Sequence, residues 1–278
     1  MANSTNTADW NSFGRANASQ KWRRQSAAMG NDMTRALVGA ARVQPGMRVL
    51  DIACGTGEPA ISLAALLSDK GEVVGVDISP APLKIAEERA AQRGLSNASF
   101  KQADAHHLHF ADNSFDCITS RLGVMFFSDL PRALSEMRRV LKPKGRAILL
   151  VWGPMDQPYF LTTIGTILRM LPEAIVPESG RKMFALGNKG ILSQALRQAG
   201  FSQAEEELAT VPWTWLGTPA EVWEYFQDVA VPFASFLQSI PAARRREIDG
   251  AVLKAIGRYY DGTSIKFTAT VNIAVAVK

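Results

Sequence analysis

Cysteine is scarce in this sequence: two in 278 residues, Cys54 and Cys117. Two thiols so far apart make no disulfide framework and offer no metal-ligand spacing, so no metal site is expected. Histidine is nearly as rare, with three residues confined to positions 106, 107 and 109. No apolar run approaches the roughly 18 residues that cross a bilayer, so stable membrane insertion is not expected. The opening segment, Met1 to Asp9, is polar and lacks a basic stretch followed by an apolar one, which predicts a cytoplasmic chain. There is no internal repeat and no low-complexity tract. The net charge of +5 is spread along the chain. Its one basic run, Arg244-Arg245-Arg246, reads as a solvated helix face, so nucleic acid is not an expected partner.

What is present in quantity is apolar side chain in a regular order. Hydrophobic residues make up 47% of the sequence, enough for one sizeable core and a cap. Between residues 47 and 151, runs of strand length and helix length alternate: Met47–Ile52, Ala60–Leu67, Glu72–Asp77, Ala81–Arg93, Ser99–Gln102, Cys117–Ser120, Leu130–Leu141 and Ala147–Trp152. Such alternation predicts a parallel sheet with helices on both faces. Asp129-Leu130-Pro131 has the acid and the proline of a helix start. Upstream, the spacing of Trp22, Met29, Met33, Leu37 and Val38 predicts one or two helices between Gln20 and Val43, with Trp10 and Phe13 as anchors of the polar start. Downstream, Ile191–Ala199 reads as a helix, Ala204–Val211 as a strand and Lys266–Lys278 as an alternating last strand.

The first strand runs into Asp51-Ile52-Ala53-Cys54-Gly55-Thr56-Gly57. A strand that breaks into a glycine turn and opens a helix forms the entry to a nucleotide crevice, because the backbone must turn tightly and approach a ligand with no Cβ between them. Two ligand classes fit. Gly55 to Ala60 satisfies the loose dinucleotide pattern, with Asp77 about 20 residues beyond Gly57 as a ribose acid. Asp51 tilts the balance the other way, since a carboxylate beside the loop repels a diphosphate and attracts a cation.

Taken in order, the motif Asp51 to Gly57, the strand Val73–Ser79 carrying Asp77, Gln102-Ala103-Asp104-Ala105, Ser114–Arg121 and the turn Arg139–Arg146 resemble the class I S-adenosylmethionine-dependent methyltransferases. Ser120–Phe127 and Leu150–Pro154 are similar to the branch related to ubiquinone/menaquinone-biosynthesis methyltransferases. The resemblance implies an α/β fold, a Rossmann-like, doubly wound, seven-stranded, mostly parallel sheet with an antiparallel last strand, plus helical cap or lid insertions. It implies S-adenosylmethionine as cofactor, bound by Asp51, Ala53, Gly55, Gly57, Asp77, Ile78, Asp104, Ala105 and Arg121. Asp77 would grip the ribose hydroxyls and Asp104 would meet the adenine amino group. The implied organisation is a helical lid segment over 1–43 and a methyltransferase domain over 44–278, with its core at 45–152 and cap insertions at 153–189 and 212–264. The sequence departs from the family at Lys144, where a glycine usually precedes Gly145. The long aromatic-rich second insertion is another departure and weakens transfer of the quinone substrate itself.

Methyl transfer from a sulfonium asks the protein mainly to position an acceptor in a dry cavity. A base is needed only if the acceptor must lose a proton, and His106, His107 with neighbouring His109, and Arg121 are the candidates for catalysis. Enzymes of this fold that methylate adenine or glutamine amides carry an Asn/Asp-Pro-Pro-aromatic turn where this chain has Ser120-Arg121-Leu122-Gly123. Two cysteines are too few to bind arsenite. The expected acceptor is therefore a small apolar or aromatic molecule methylated on carbon, oxygen or nitrogen, with Trp22, Phe126, Trp152, Tyr159 and Trp213 as substrate wall. An NAD(P)-dependent oxidoreductase of Rossmann type and a non-catalytic S-adenosylmethionine-binding module stay open as alternatives.

Overall fold

The computed structural model describes residue 18 and residues 21–278; Trp10 and Phe13 lie outside the described residues. Seven strands form one sheet: β1 (Arg48–Ile52), β2 (Glu72–Asp77), β3 (Ala98–Gln102), β4 (Phe115–Arg121), β5 (Leu141–Trp152), β6 (Ser202–Leu216) and β7 (Ser264–Val277). Their order is β3-β2-β1-β4-β5-β7-β6, and β1 to β5 pair in parallel. The chain winds outward from β1 to β3, then returns to the other side of β1 with β4. The winding therefore reverses between β1 and β4, where open α/β sheets bind ligands. Gly145 O accepts from Lys278 N at 3.0 Å, just past the end of β7, and Gly153 N donates to Thr270 O at 2.9 Å. As β5 advances, β7 recedes, which makes β7 antiparallel.

The strands are apolar throughout because helices cover both faces of a parallel sheet: Val49, Leu50, Ile52, Val73, Val74, Ile118 and Leu149 are all buried. The helix Leu130–Val140 starts as expected, with Asp129 Oδ1 accepting from Arg132 N at 3.0 Å and Pro131 in the first turn. It turns Ala133, Leu134, Met137 and Val140 inward at helical spacing. The helix Arg23–Ala41 occupies most of the region where one or two were expected.

Two expected strand boundaries move, each for a physical reason. β5 begins at Leu141 rather than Ala147 because of a bulge: Phe115 faces Leu141 while Cys117 faces Arg146. Lys144 takes up the bulge with a φ of +65°, the left-handed conformation for which glycine would be favoured. β6 runs past Val211 to Leu216, through Pro212. It lies at the edge of the sheet, where a strand can dispense with one N–H. Trp213 and Trp215, expected in the cap insertion 212–264, consequently lie on a strand.

The chain divides into two compact units. One comprises Met33–Val151, Leu186–Ala209 and Val271–Lys278; the other comprises the described residues up to Asp32, Trp152–Ala185 and Thr210–Thr270. The second unit holds most of the large aromatics in a continuous packed cluster. Tyr159 lies 4.2 Å from Trp213 and 5.6 Å from Phe226, and Trp152 lies 5.2 Å from both Trp213 and Phe160, mostly edge to face. Trp22 donates Nε1–H to Asp228 Oδ2 at 2.7 Å, and Lys21 reaches Asp228 and Glu224 at 3.0 and 2.6 Å. Those bonds fasten Lys21 and Trp22 to the helix Pro219–Val229, which opens with a capping box of Thr218 and Glu221. In the basic run, Arg244 pairs with Glu247 and Arg245 donates to Leu237 O, in keeping with structural surface charge. No described helix is long and apolar enough to cross a membrane.

Candidate cofactor-binding site

The loop between β1 and the helix Ala60–Leu67 is shaped by two glycines. Gly55 has a φ of +52° and Gly57 of +105°. A Cβ on Gly57 would lie 2.6 Å from Ile61 Cδ1 and 3.1 Å from Ala86 Cβ, whereas one on Gly55 would meet nothing within 4 Å. Gly57 is thus required by helix packing, and Gly55 leaves the backbone bare on its open side. Ala53 at the end of β1 and Leu122 at the end of β4 also have positive φ, of 57° and 58°. Such strain in non-glycine residues persists where the surroundings over-determine the backbone. A Cβ on Gly123 would stand 2.5 Å from Ala53 Cβ and 2.7 Å from Ser120 Oγ, so glycine lets the turn after β4 pack against the end of β1.

The helix Ala60–Leu67 has no capping side chain of its own. Asp51 supplies the acceptor from inside the sheet: its Oδ2 accepts from Ala60 N at 3.1 Å and its Oδ1 from Thr119 Oγ1 at 2.8 Å. Asp51 is completely buried. Burial pushes its carboxyl up to about 7, partly offset by the Thr119 and Ala60 hydrogen bonds and by the charge of Arg121. This corrects the expectation that Asp51 faces the ligand. With both oxygens committed and no exposed surface, it positions the loop from behind.

Asp77 closes β2 and ties the loop to it. Its Oδ2 accepts from Gly55 N at 2.8 Å and its Oδ1 from Ser79 N at 2.9 Å. Ile78 is half-buried beside it, and its carbonyl accepts from Gln102 Nε2 at 3.0 Å. Ala103 N donates to Asp77 O at 3.0 Å, which sets Asp104 next to the end of β2; Ala105 is buried. Arg121 closes β4, half-buried. The sheet therefore gathers Ala53, Gly55, Gly57, Asp77, Ile78, Asp104, Ala105 and Arg121 at the carboxyl ends of β1 to β4.

Two supports had no recognisable spacing in the sequence. Arg89, from the helix Pro80–Gln92, donates to Thr56 O and to Glu58 Oε1, the latter at 3.1 Å, and so clamps the glycine loop. Arg139 donates to both oxygens of Glu136, to Leu108 O at 2.7 Å and to Phe110 O at 2.8 Å. Together with Leu108 N donating to Glu136 Oε2 at 2.9 Å, that arrangement latches the segment after Asp104 to the helix Leu130–Val140. Apart from Glu136 and Arg139, which are one helical turn apart, these partners lie 28 to 33 positions from each other and leave no local pattern to read.

The candidate catalytic and substrate residues are placed differently from expectation. His107 and His109 are exposed. His106 has both ring nitrogens engaged, Nδ1 at 2.5 Å from Asp104 Oδ1 and Nε2 accepting from Asp129 N at 3.2 Å, so it offers no free base. Trp152, Tyr159 and Trp213 lie buried in the packed aromatic cluster described above, and Trp22 is a buried anchor. Phe126 lies half-buried in the turn Val124–Phe126 after β4.

The carboxylates of Asp77 and Asp104 at neighbouring strand ends, above a bare Gly55, suit a ligand with hydroxyl and amino donors, a positive charge and no phosphate. S-adenosylmethionine has that character. The donor set offered to a diphosphate is poor, because the Gly55 amide is already taken by a carboxylate and the Arg89 guanidinium by the loop itself.

The model of a methyltransferase domain matches residues 43–157. A ubiquinone/menaquinone biosynthesis C-methyltransferase from Teredinibacter turnerae is 47% identical over 109 residues, covering 39% of this chain and 44% of that relative. A demethylmenaquinone methyltransferase from Geobacillus kaustophilus is 35% identical over 176 residues, 59% of this chain and 74% of the relative. Among solved structures, the YcgJ protein of Bacillus subtilis superposes with a TM-score of 0.53 at 21% identity, over 88% of this chain and 97% of that one. The chain belongs to the class I S-adenosylmethionine-dependent methyltransferases, in the branch related to the ubiquinone/menaquinone-biosynthesis C-methyltransferases. The match covers less than half the length of several of these relatives, 43–45%.

Proposed function

We propose that this protein transfers the methyl group of S-adenosylmethionine to carbon, oxygen or nitrogen of a small apolar or aromatic molecule. The pair of carboxylates at the carboxyl ends of β2 and β3 carries the reading: Asp77 stands over the glycine loop and Asp104 beside it. In this reading Asp77 takes the ribose hydroxyls and Asp104 the adenine amino group, with Ala53, Gly55, Ile78 and Ala105 lining the cofactor. The bound cofactor supplies a methyl group already activated on sulfonium. The chain's own residues bind it, orient it and hold the loop rigid from behind through Asp51, Glu58 and Arg89. With the histidines exposed or engaged, an acceptor that reacts without losing a proton to the protein, or loses it to solvent, suits the site.

Titration calorimetry with S-adenosylhomocysteine and, in parallel, with NAD(P) tests the cofactor. Binding of the former alone is the expected outcome, and binding of the latter alone refutes the reading. Replacing Asp77 with Ala should weaken S-adenosylhomocysteine more than about tenfold, since a hydrogen bond to a charged group contributes about 1.5–3 kcal/mol. Unchanged affinity would overturn the ribose assignment.

A further inference from the structure

The three histidines are the chemistry-bearing residues that the proposed reaction leaves unused, and one of them is held by a definite network. Asp104 Oδ1 accepts twice from His106, from its backbone N at 2.9 Å and from ring Nδ1 at 2.5 Å. On the other side of the ring, Nε2 accepts from Asp129 N at 3.2 Å. A backbone N–H can only donate, so Nε2 must carry the lone pair and Nδ1 the hydrogen. This is the neutral Nδ1–H tautomer, with its donor aimed at a carboxylate. The ring also packs edge-on against Phe127 at 5.8 Å, and Arg132 Nε donates to His106 O at 3.1 Å. His106 is thus gripped by the segment that follows β4, while its own donor grips the acid that follows β3.

Both of its bonds fall on the same oxygen of Asp104. Oδ2 has no partner among the described residues, and the Asp104 side chain is 44% exposed whereas that of His106 is 16% exposed. One oxygen is therefore fixed and the other presented outward. Burial, the largest single effect on the Asp104 carboxyl, raises it, but the two hydrogen bonds from His106 together outweigh burial and hold the carboxyl below its ordinary range.

We infer that His106 is a positioning residue for cofactor recognition: its Nδ1–H orients the Asp104 carboxylate so that Oδ2 meets the exocyclic amino group of an adenine. The inference rests on the assignment of Asp104 in the proposed function. It excludes His106 as the base of the reaction and gives the histidine a role in adenine specificity. The ligand class is a 6-aminopurine nucleoside, and the discriminated analogue is a 6-oxopurine, which presents an acceptor where the amino group was.

The test compares two ligands, S-adenosylhomocysteine and S-inosylhomocysteine, on the full chain and three variants. His106→Ala should weaken the adenosyl ligand about fivefold to tenfold, the worth of one oriented hydrogen bond, and leave the inosyl ligand within about twofold. His106→Asn, whose amide can place a donor where Nδ1 stands, should recover most of the loss. An equal loss on both ligands means a merely structural role and overturns the inference, as does a His106→Asn variant no better than Ala. Asp104→Asn separates the layers. If it abolishes the adenosyl preference while His106→Ala does not, the inference alone fails; if it leaves the preference intact, the adenine assignment beneath it fails as well. Independent of any variant, the side-chain ¹⁵N shifts of His106 in the wild-type protein should show a protonated Nδ1 and a bare Nε2, and the opposite tautomer overturns the inference.

Discussion

Asp51 supports a prediction whose sign and size both follow from its surroundings. The carboxyl is completely buried, and burial lifts it from 3.8 to about 7. In the unfolded chain it ionises near its ordinary value; in the folded protein it keeps its proton until about pH 7. Between those limits the folded state binds one proton more, so stability falls as pH rises, and above about pH 7 both states are ionised and the slope vanishes. From about pH 5 to about pH 8 the loss covers two of the three units of the shift, about 3 kcal/mol at 1.36 kcal/mol per unit. Asp51→Asn removes the titration while keeping an oxygen for Ala60 N and an amide facing Thr119 Oγ1, which can accept in turn. Urea unfolding of wild type and variant at the two pH values isolates the effect, because every other titrating group is common to both. The stability of the variant relative to wild type should rise by about 3 kcal/mol from the lower pH to the higher. A difference that stays constant within about 0.5 kcal/mol would refute the claim that this carboxyl is held protonated by burial.

Two further substitutions probe the loop and the second unit. Gly57→Ala forces a Cβ to 2.6 Å from Ile61 Cδ1 at a φ of +105°; it should lower unfolding stability by about 1–3 kcal/mol, and an Ile61→Val background, which lacks the clashing Cδ1, should shrink but not abolish that penalty in a double-mutant cycle. Trp22→Phe keeps the ring packing on Trp215 and removes the donor to Asp228; urea unfolding should show a loss of about 1–3 kcal/mol, and a neutral result would mean that Lys21 alone holds that carboxylate.

How far the sequence could be read varies with the kind of signal. The glycine loop, the strand-end acids and the helix start at Asp129 were legible because each rests on a local rule: a φ that favours glycine, a period, a cap. The start of β5 and the length of β6 were not. A bulge at Lys144 and a proline tolerated at a sheet edge depend on which strand lies alongside, and neighbours in a sheet are not neighbours in the chain. The setting of the aromatic residues was not legible for a related reason. Trp152, Tyr159 and Trp213 are equally apolar whether they line a cavity or fill a core, and only the structure shows that they pack on one another.

By itself the sequence determined the class of fold, the order of its strands' acids and the character of the ligand they suit, because hydrophobic period, turn chemistry and charge sign act over a few residues. Only the tertiary structure decided which acid faces outward and which stands behind. Asp51 and Asp77 are both aspartates at strand ends, yet one is sealed inside against Thr119 and the amide of Ala60 while the other bonds the glycine loop. That difference is one of burial and of partners brought from β4 and the following helix, and no spacing along the chain encodes it.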